Sequence, residues 1–350
     1  MAGVLLYQPY YSTQGHFKDF FRVYYDHLQN RGFDCHGIIG IKKSFELDEN
    51  RNVSIFHRKF YSRKTRIFDN WRGLKLLITH LNKSPETYQI IQLLDVEIVI
   101  LWLFLIIHNK HFVEKRLIIH LHSVNRLQKK KSLFNRSYRL LAKWAYRYIV
   151  KHFSTQIVTN GKFLSKKLKK ITGLGEAIHS SKWGSDDLTD FVHTDQKERR
   201  TFLFFGIIRE DKNLKYIMHQ FGKINQQYKL IIAGQPRDYT RDKVINWVEK
   251  AGIPNENIEL HLNYIAISKM YKLFNRAEYI LIPYSAENLS NSGPLITGLQ
   301  FNCIPIVSDY GERGNLVNNY KCGYTFKFKN KNDFTTILKH CIAKKDEAYF

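Results

Sequence analysis

Short apolar runs alternate with amphipathic stretches along the chain. The first run, Gly3–Tyr7, ends in a polar loop, and a pattern of helical period follows over Phe17–Arg31. Gly32 ends that pattern, and a second apolar run follows at Cys35–Ile41. Alternation of this kind is typical of βαβ units. We therefore expect the chain to open with a parallel sheet that binds ligands in the loops after its strands.

The alternation predicts most other elements of the first half. Asn52–Ser84, which is dense in Arg and Lys, is interpreted as an exposed loop with some helix. Apolar residues share one face of the predicted helix Asn125–His152, a spacing that favours packing of that face: Leu140, Leu141, Trp144, Tyr148 and Ile149. The other predicted elements are Tyr88–Leu94, Val96–His108, Arg116–Leu121, Gln156–Thr159 and Lys162–Lys170.

A polar stretch without periodicity, 184–200, divides the chain, and the strand–helix alternation restarts after it. The length also suits two domains of about 150 residues each. We therefore predict two Rossmann-like α/β domains that face each other across a cleft. The predicted parts are an N-terminal Rossmann-like domain at 1–187, a linker at 188–200, a C-terminal Rossmann-like domain at 201–335, and a C-terminal helix at 336–350 that packs back toward the N-terminal domain. The predicted elements after the linker are Thr201–Ile207, Asn213–Ile224, Lys229–Ala233, Thr240–Lys250, Ile258–Leu262, Ser268–Asn275, Tyr279–Pro283, Pro294–Phe301, Ile304–Ser308 and Asp333–Ala343.

The charge is strongly basic, with 55 Lys+Arg against 31 Asp+Glu and a net charge of +24. Residues 1–190 hold 32 basic and 15 acidic side chains, a net of +17. Within 110–170, Glu114 is the one acidic residue among 17 basic ones. A segment of this kind favours polyanions as partners: phosphates, nucleic acid or an anionic membrane surface.

Other classes are disfavoured. The four cysteines form no CxxC pair, which argues against a disulfide framework or a zinc knuckle and favours a reducing compartment. The N-terminus lacks the pattern of a secretory signal. The most apolar run, Ile98–Ile107, is too short to span a bilayer and is interpreted as a buried helix, with contact to a membrane surface as the alternative.

The stretch ENLSNSGPLITG, Glu287–Gly298, predicts a helix start. Asn291, Ser292 and Gly293 suit an N-cap, and Pro294 suits the first helical position. The free N–H groups of such a start attract anions, and phosphate fits them well. An ordinary capped helix is the alternative interpretation.

A second candidate lies in FFGIIREDKNLKYI, Phe204–Ile217. Gly206 closes a predicted strand, and Arg209 and Lys212 follow in the loop before a predicted helix. Arg offers a planar fork for phosphate and Lys a point charge. Because Glu210 and Asp211 are interleaved, a solvated charged loop is the alternative. Taken with the helix start, the two cations indicate a diphosphate site.

In these segments the second half resembles the donor-binding domain of retaining nucleotide-sugar glycosyltransferases of the GT-B fold, specifically glycosyltransferase family 4. The resemblance covers about 140 residues in the family's order, whereas in the first half it is looser. The matching segments are G-x-I-R-x-x-K at Gly206–Lys212, LIIAG at Leu230–Gly234, RAEYILIPY at Arg276–Tyr284, and NSGPLITGLQFNCIPIVSDYG at Asn291–Gly311.

The resemblance implies a role for each matching residue. Arg209 and Lys212 would bind the donor diphosphate and offset charge as the sugar–phosphate bond breaks. The helix start would hold the same diphosphate through Asn291, Ser292, Gly293 and Leu295. Gly15 would let the N-terminal loop approach the phosphate closely, and His122 would contact the sugar or its transferring centre.

The chain departs from the family where two Glu residues, eight positions apart, are usual. Thr297 occupies the second position, whose Glu usually holds the ribose, and Glu287 lies close to the first. Glu287 then either reaches the sugar hydroxyls or is a satisfied loop carboxylate. The resemblance further implies base contacts near Gly234 and Tyr264. His120 and His122 share one strand face without a third ligand nearby, and the family works without a metal, so we expect neither metal nor cofactor.

The resemblance therefore implies a retaining hexosyltransferase. Its C-terminal domain would bind a nucleoside-diphosphate sugar, and its N-terminal domain would bind the glycan or lipid-linked acceptor of cell-surface polysaccharide or glycolipid synthesis to which the sugar is transferred. The basic segment predicts peripheral attachment to the cytoplasmic face of the plasma membrane, and the expected diphosphate site disfavours nucleic acid as a partner. The alternatives are a non-catalytic basic binder of nucleic acid or membrane, and a GT-B relative that hydrolyses or epimerises sugar nucleotides.

Overall fold

A computed structural model describes residues 3–11, 17–41, 51–57, 66–83, 87–121, 133–181, 188–328, 330 and 332–343. The chain divides into two compact units, Met1–Ser185 and Asp186–Phe350. Each unit is built on one parallel sheet with helices between its strands. The predicted class of two Rossmann-like α/β domains is confirmed.

The N-terminal unit has a sheet of seven strands in the order β3-β2-β1-β4-β5-β6-β7. All of its described pairings are parallel, and the direction of the order reverses between β1 and β4. The strands are β1 (Gly3–Gln8), β2 (Asp34–Ile41), β3 (Val53–His57), β4 (Tyr88–Leu94), β5 (Arg116–Leu121), β6 (Thr155–Asn160) and β7 (Ile178–Ser181). The helices are α1 (Phe17–Asn30), α2 (Arg66–Lys83), α3 (Ile98–Ile107), α4 (Leu133–His152) and α5 (Lys162–Thr172).

The segment interpreted as an exposed loop is more ordered than predicted. It contains the edge strand β3 and the helix α2, whose Leu74, Leu77 and Leu81 are buried. The leucines keep a helical spacing beneath the basic residues, and their burial outweighs the local charge. The interpretation of Asn52–Ser84 as an exposed loop with some helix is therefore confirmed for the helix and wrong for β3 and for the buried face of α2.

The packing face predicted for α4 is also wrong in part. Leu140, Leu141 and Trp144 are exposed, by 60%, 41% and 71%. The buried side consists instead of Ala142, Ala145, Tyr146 and Ile149. Because the alanines add little bulk, α4 packs through this side, and the larger apolar residues are left on the outside.

Helix α3 is less completely buried than predicted. It buries six residues, including Leu101, Phe104 and Leu105, but exposes Leu103, Ile106 and Ile107. None of the helices within the described ranges is long and apolar enough to cross a membrane.

The C-terminal unit has six strands in the order β10-β9-β8-β11-β12-β13, with parallel pairings throughout its described residues. The strands are β8 (Glu198–Phe205), β9 (Lys229–Ala233), β10 (Ile258–His261), β11 (Ala277–Ile282), β12 (Ile304–Ser308) and β13 (Tyr324–Phe326). The helices are α6 (Leu214–Phe221), α7 (Arg241–Ala251), α8 (Ile267–Arg276), α9 (Gly293–Gln300), α10 (Gly311–Tyr320) and α11 (Asp333–Ala343). Aromatic and aliphatic residues fill both faces of this sheet.

The C-terminal unit contains two elements that the sequence did not predict. Helix α10 and strand β13 were not predicted, since NLVNNY lacks an apolar period and β13 has three residues. Helix α11 buries Phe334, Leu338 and Ile342 in the core of its own unit. The predicted packing of 336–350 toward the N-terminal domain stays a prediction, because 344–350 lie outside the described residues.

Candidate functional site

The strand order of the C-terminal unit reverses between β8 and β11, so the loops after these strands diverge at one edge of the sheet. Ligands of open α/β sheets bind at such a point, beyond the carboxyl ends of the strands. The two loops are tied together, because the Ser285 N–H donates to the Asp211 carbonyl (2.8 Å) and the Asn213 amide donates to the Pro283 carbonyl (2.9 Å). The site is therefore a joined pair of loops in which the residues after β8 face those after β11.

Lys212 gives the strongest indication of the ligand that this site binds. It is 6% exposed, yet its ammonium forms no ion pair within the described part of the chain. Its Nζ lies 3.5 Å from the Phe205 carbonyl oxygen and 5.2 Å from the centre of the Tyr284 ring. Since a buried charge is costly without a counter-charge, the position favours binding of an anion. The alternative of a solvated charged loop does not hold for Lys212.

Arg209 is held differently. Its Nη2 donates to Asp211 Oδ2 and its Nε lies 3.1 Å from Asp211 Oδ1, so the acid interleaved between the two cations pairs with Arg209. A guanidinium carries more N–H donors than this pair engages. Arg209 is thus oriented by Asp211 and keeps donors for a second anionic group.

A buried arginine that the sequence analysis did not single out supports the loop after β11. Arg313, at the start of α10, is fully buried and donates to the carbonyls of Ser290 (2.6 Å) and Asn288 (2.7 Å). Its guanidinium lies 4.8 Å from the centre of the Tyr284 ring. Burial lowers the pKa of Arg313 to about 10, so the side chain is still charged at neutral pH.

Tyr284 therefore contacts two cations, the Arg313 guanidinium and the Lys212 ammonium. Its hydroxyl lies 3.1 Å from Ser292 Oγ, and its carbonyl accepts from Ser308 Oγ. Asn288 extends the network, because its Nδ2 donates to Asp211 Oδ2 (2.9 Å). The buried network links Arg313 to the acid that orients Arg209.

The predicted helix start is observed as α9, whose N-cap is Ser292. The Ser292 side chain makes no cap hydrogen bond, because its hydroxyl lies beside Tyr284 instead. The Leu295 N–H donates to the Ser292 carbonyl (3.0 Å), and its predicted use as a phosphate donor stays a prediction. The other two predicted amide donors are those of Ser292 and Gly293, and Pro294, which follows them, has no N–H.

The structure brings these groups close together. A Cβ atom placed on Gly206 would lie 2.9 Å from Lys212 Nζ and 3.6 Å from Pro294 Cγ. The Lys212 ammonium, the bare Gly206 backbone and the first turn of α9 thus surround one small space. That space combines a cation, a glycine that leaves room and a helix N-terminus, which is the chemistry of a phosphate site.

The other predicted residues of this unit lie around the same loops. Asn291 Oδ1 is buried without a hydrogen-bond partner, and a side-chain amide flip would present a donor there instead. Glu287 is exposed, Thr297 is half-buried on α9, and Tyr264 is 59% exposed after β10. Their contacts with a sugar or nucleotide stay predictions.

Gly234 has a structural reason to be glycine. Its φ is +152°, and a Cβ atom there would lie 2.1 Å from the Gly206 carbonyl oxygen. The close approach of Gly234 to Gly206 fixes the end of β8, from which Arg209 and Lys212 extend. Its predicted contact with the nucleotide stays a prediction.

We expect Gly234→Ala to lower the free energy of unfolding by about 3 kcal/mol, because the backbone oxygen of Gly206 cannot move aside cheaply. The matched control is Gly252→Ala, since Gly252 also has a positive φ (+67°) but no atom within 4 Å of its Cβ position. The control should cost about 1 kcal/mol. Urea unfolding measures both variants, and equal losses would contradict the close approach.

In the N-terminal unit, the predicted residues Gly15 and His122 lie outside the described residues. Their neighbour His120 is buried, and burial lowers its pKa to about 4 although its Nε2 bonds Asn160 Oδ1 (2.6 Å). Over the described ranges, no group of three or more His, Cys, Asp or Glu side chains is placed to hold a metal ion. The metal-independent mechanism stays a prediction.

The sequence of the C-terminal unit agrees with this geometry, since residues 185–348 match the family model for glycosyl transferases group 1. The C-terminal unit is therefore similar to the glycosyl transferases group 1 family. The match takes in slightly less than half of the chain and nearly the whole of that unit. No curated protein matches the sequence.

Solved structures extend the likeness to both units. Sucrose-phosphate synthase from Thermosynechococcus elongatus aligns with a TM-score of 0.76 at 10% identity, over 98% of this chain and 90% of that one. Anabaena Alr3699/HepE in complex with UDP gives 0.68 at 12%, over 98% and 90%. WaaG, a glycosyltransferase involved in lipopolysaccharide biosynthesis, gives 0.67 at 13%, over 98% and 91%. At this low identity the likeness shows a shared fold, and it agrees with the predicted GT-B class.

Proposed function

We propose that the protein is a retaining glycosyltransferase of family 4 that transfers a hexosyl group from a nucleoside-diphosphate sugar to an acceptor. The observation that carries this proposal is the burial of Lys212, without a carboxylate partner in the described residues, beside the first turn of α9. A donor diphosphate supplies the counter-charge that this position lacks. The similarity of residues 185–348 to the glycosyl transferases group 1 family supports the same assignment.

In the proposed reaction, Lys212 and Arg209 bind the diphosphate and stabilise the charge that grows on it as the bond to the sugar breaks. The amides of Ser292 and Gly293 bind the same group from the N-terminus of α9. The leaving phosphate accepts the proton of the acceptor hydroxyl on the same face of the sugar, so that configuration is retained. This route uses neither a metal nor a nucleophilic carboxylate, and His122 and Gly15 act from the N-terminal unit.

The acceptor we propose is a glycan or a lipid-linked sugar of cell-surface polysaccharide or glycolipid synthesis, bound by the N-terminal unit. We place the reaction at the cytoplasmic face of the plasma membrane. The four cysteines are free, which is compatible with a reducing compartment. The strong positive charge of residues 110–170 supports attachment to an anionic surface.

A binding panel of UDP-, GDP- and ADP-sugars tests the proposal. We expect one nucleotide class to raise the melting temperature of the wild type, because a ligand that binds only the folded state stabilises it. UDP-sugars come first in the panel because HepE binds UDP. Lys250→Ala, an exposed lysine on α7, serves as the control for Lys212→Ala. The absence of any nucleotide binding by the wild type would overturn the proposal.

The bound donor also separates transfer from the alternatives. Incubation without acceptor should leave the donor largely intact, whereas a hydrolase releases free sugar and an epimerase changes the sugar. The anomeric configuration of the product, read by NMR, tests retention. A non-catalytic binder would leave the donor unchanged with every acceptor offered.

A further inference from the structure

Helices α3, α4 and α5 form one layer of the N-terminal unit, since α3 packs against α4 and α4 against α5. The rings of Trp102 on α3 and Tyr148 on α4 lie 6.3 Å apart in this interface. The outward side of the layer carries exposed apolar residues, here named the α3–α4 patch: Leu103, Ile106, Ile107, Leu140, Leu141 and Trp144.

The α3–α4 patch is unusual for an outer surface. Ile107 is 62% exposed and Trp144 is 71% exposed, although both are among the most apolar or bulky side chains. Single exposed apolar residues are common, but several on two adjacent helices mark a surface that binds another apolar phase or partner. Nothing within the described chain covers these side chains.

The charge next to the patch indicates the partner. Residues 133–170 contain ten Lys or Arg residues and no Asp or Glu. On α5, which continues the layer, Lys162, Lys166, Lys169 and Lys170 are exposed. Exposed Leu, Ile and Trp beside a dense positive charge match the interfacial region of an anionic membrane, which takes up apolar side chains and attracts cations.

Nucleic acid fits this surface less well. A phosphate backbone would use the cations, but Trp144 is the one aromatic residue of the patch, and its five Leu and Ile residues offer bases no stacking platform. The exposed Leu and Ile residues together with the lysines favour a partner that is apolar beneath a negatively charged surface.

We propose that the α3–α4 patch and the adjoining lysines of α5 form the surface by which the protein docks on an anionic lipid bilayer. Docking inserts the apolar side chains at the headgroup level and pairs the lysines with lipid phosphates. The inference makes the proposed peripheral attachment specific to named residues. It does not depend on the transfer reaction.

Flotation with vesicles tests the proposal without any donor, so that its failure leaves the proposed transfer untouched. Phosphatidylcholine vesicles with a large share of phosphatidylglycerol should bind the wild type at low salt, whereas pure phosphatidylcholine vesicles should not. The double variant Ile107→Ser, Trp144→Ser should bind about tenfold more weakly. The variant Lys166→Glu, Lys169→Glu should bind the vesicles more weakly by a similar factor. Its binding should also depend less on the salt concentration than that of the wild type.

The chain offers a closely matched control. Ile267 and Tyr320 of the C-terminal unit are 62% and 74% exposed, nearly as Ile107 and Trp144 are, so Ile267→Ser, Tyr320→Ser removes the same kind of surface elsewhere. This control should bind vesicles like the wild type. An equal loss in the control, equal binding to neutral vesicles, or binding of an oligonucleotide but of no vesicle would each overturn the proposal.

Discussion

Replacement of Lys212 by methionine will abolish donor binding and will leave the ligand-free protein at least as stable as the wild type. The ammonium is nearly buried, and its hydrogen-bond acceptor among the described residues is the Phe205 carbonyl at 3.5 Å, so its charge costs folding free energy until an anion binds. Methionine keeps a similar length and apolar contacts without the charge. We expect donor affinity to fall by about a hundredfold or more.

Titration calorimetry with the donor and thermal unfolding without it measure the two effects separately. Lys250→Met, at an exposed position of α7, controls for the loss of a positive charge in general. Lys212→Arg keeps the charge but changes its shape, and should recover part of the affinity. If Lys212→Met instead lowered the melting temperature and bound the donor normally, Lys212 would be a structural residue and the proposed site would be wrong.

The elements that the sequence predicted well are buried strands and strongly periodic helices. Lys229–Ala233, Ile304–Ser308 and Asp333–Ala343 have their predicted bounds. A strand covered on both faces is a continuous apolar run, which is easily recognised. The strands that were missed, β3, β7 and β13, all lie at sheet edges, where one side has no neighbour and the run is short and partly polar.

The sequence could predict those parts of the site that depend on position along the chain. Arg209 and Lys212 follow a buried strand, and parallel strands end at one edge of a sheet, so both cations were expected there. The spacing does not say which cation pairs with the interleaved acid. That choice depends on Asn288, which lies 77 positions from Asp211 in the chain and donates to the same carboxylate.

Replacement of Arg313 by methionine will lower both the stability and the donor affinity. The variant leaves the carbonyl oxygens of Asn288 and Ser290 buried without their donor and removes the cation from the Tyr284 ring. We expect a loss of about 3 kcal/mol in the free energy of unfolding. Because the same loop holds Ser292 and the Asn288 amide on Asp211, donor affinity should fall by about tenfold as well.

A general loss of stability has to be separated from a loss of the site's geometry. Leu338 lies on α11 in the hydrophobic core, away from the loop after β11. Leu338→Ala should lower the free energy of unfolding by a similar amount, about 3 kcal/mol. Donor binding is then compared well below both melting temperatures, where each variant is folded. We expect Leu338→Ala to bind the donor with the affinity of the wild type. The donor affinity of Arg313→Lys should lie between those of the wild type and Arg313→Met, because lysine restores the charge but not the planar fork that reaches two carbonyls. Equal affinities of Arg313→Met and Leu338→Ala would mean that Arg313 stabilises the fold without positioning the donor site.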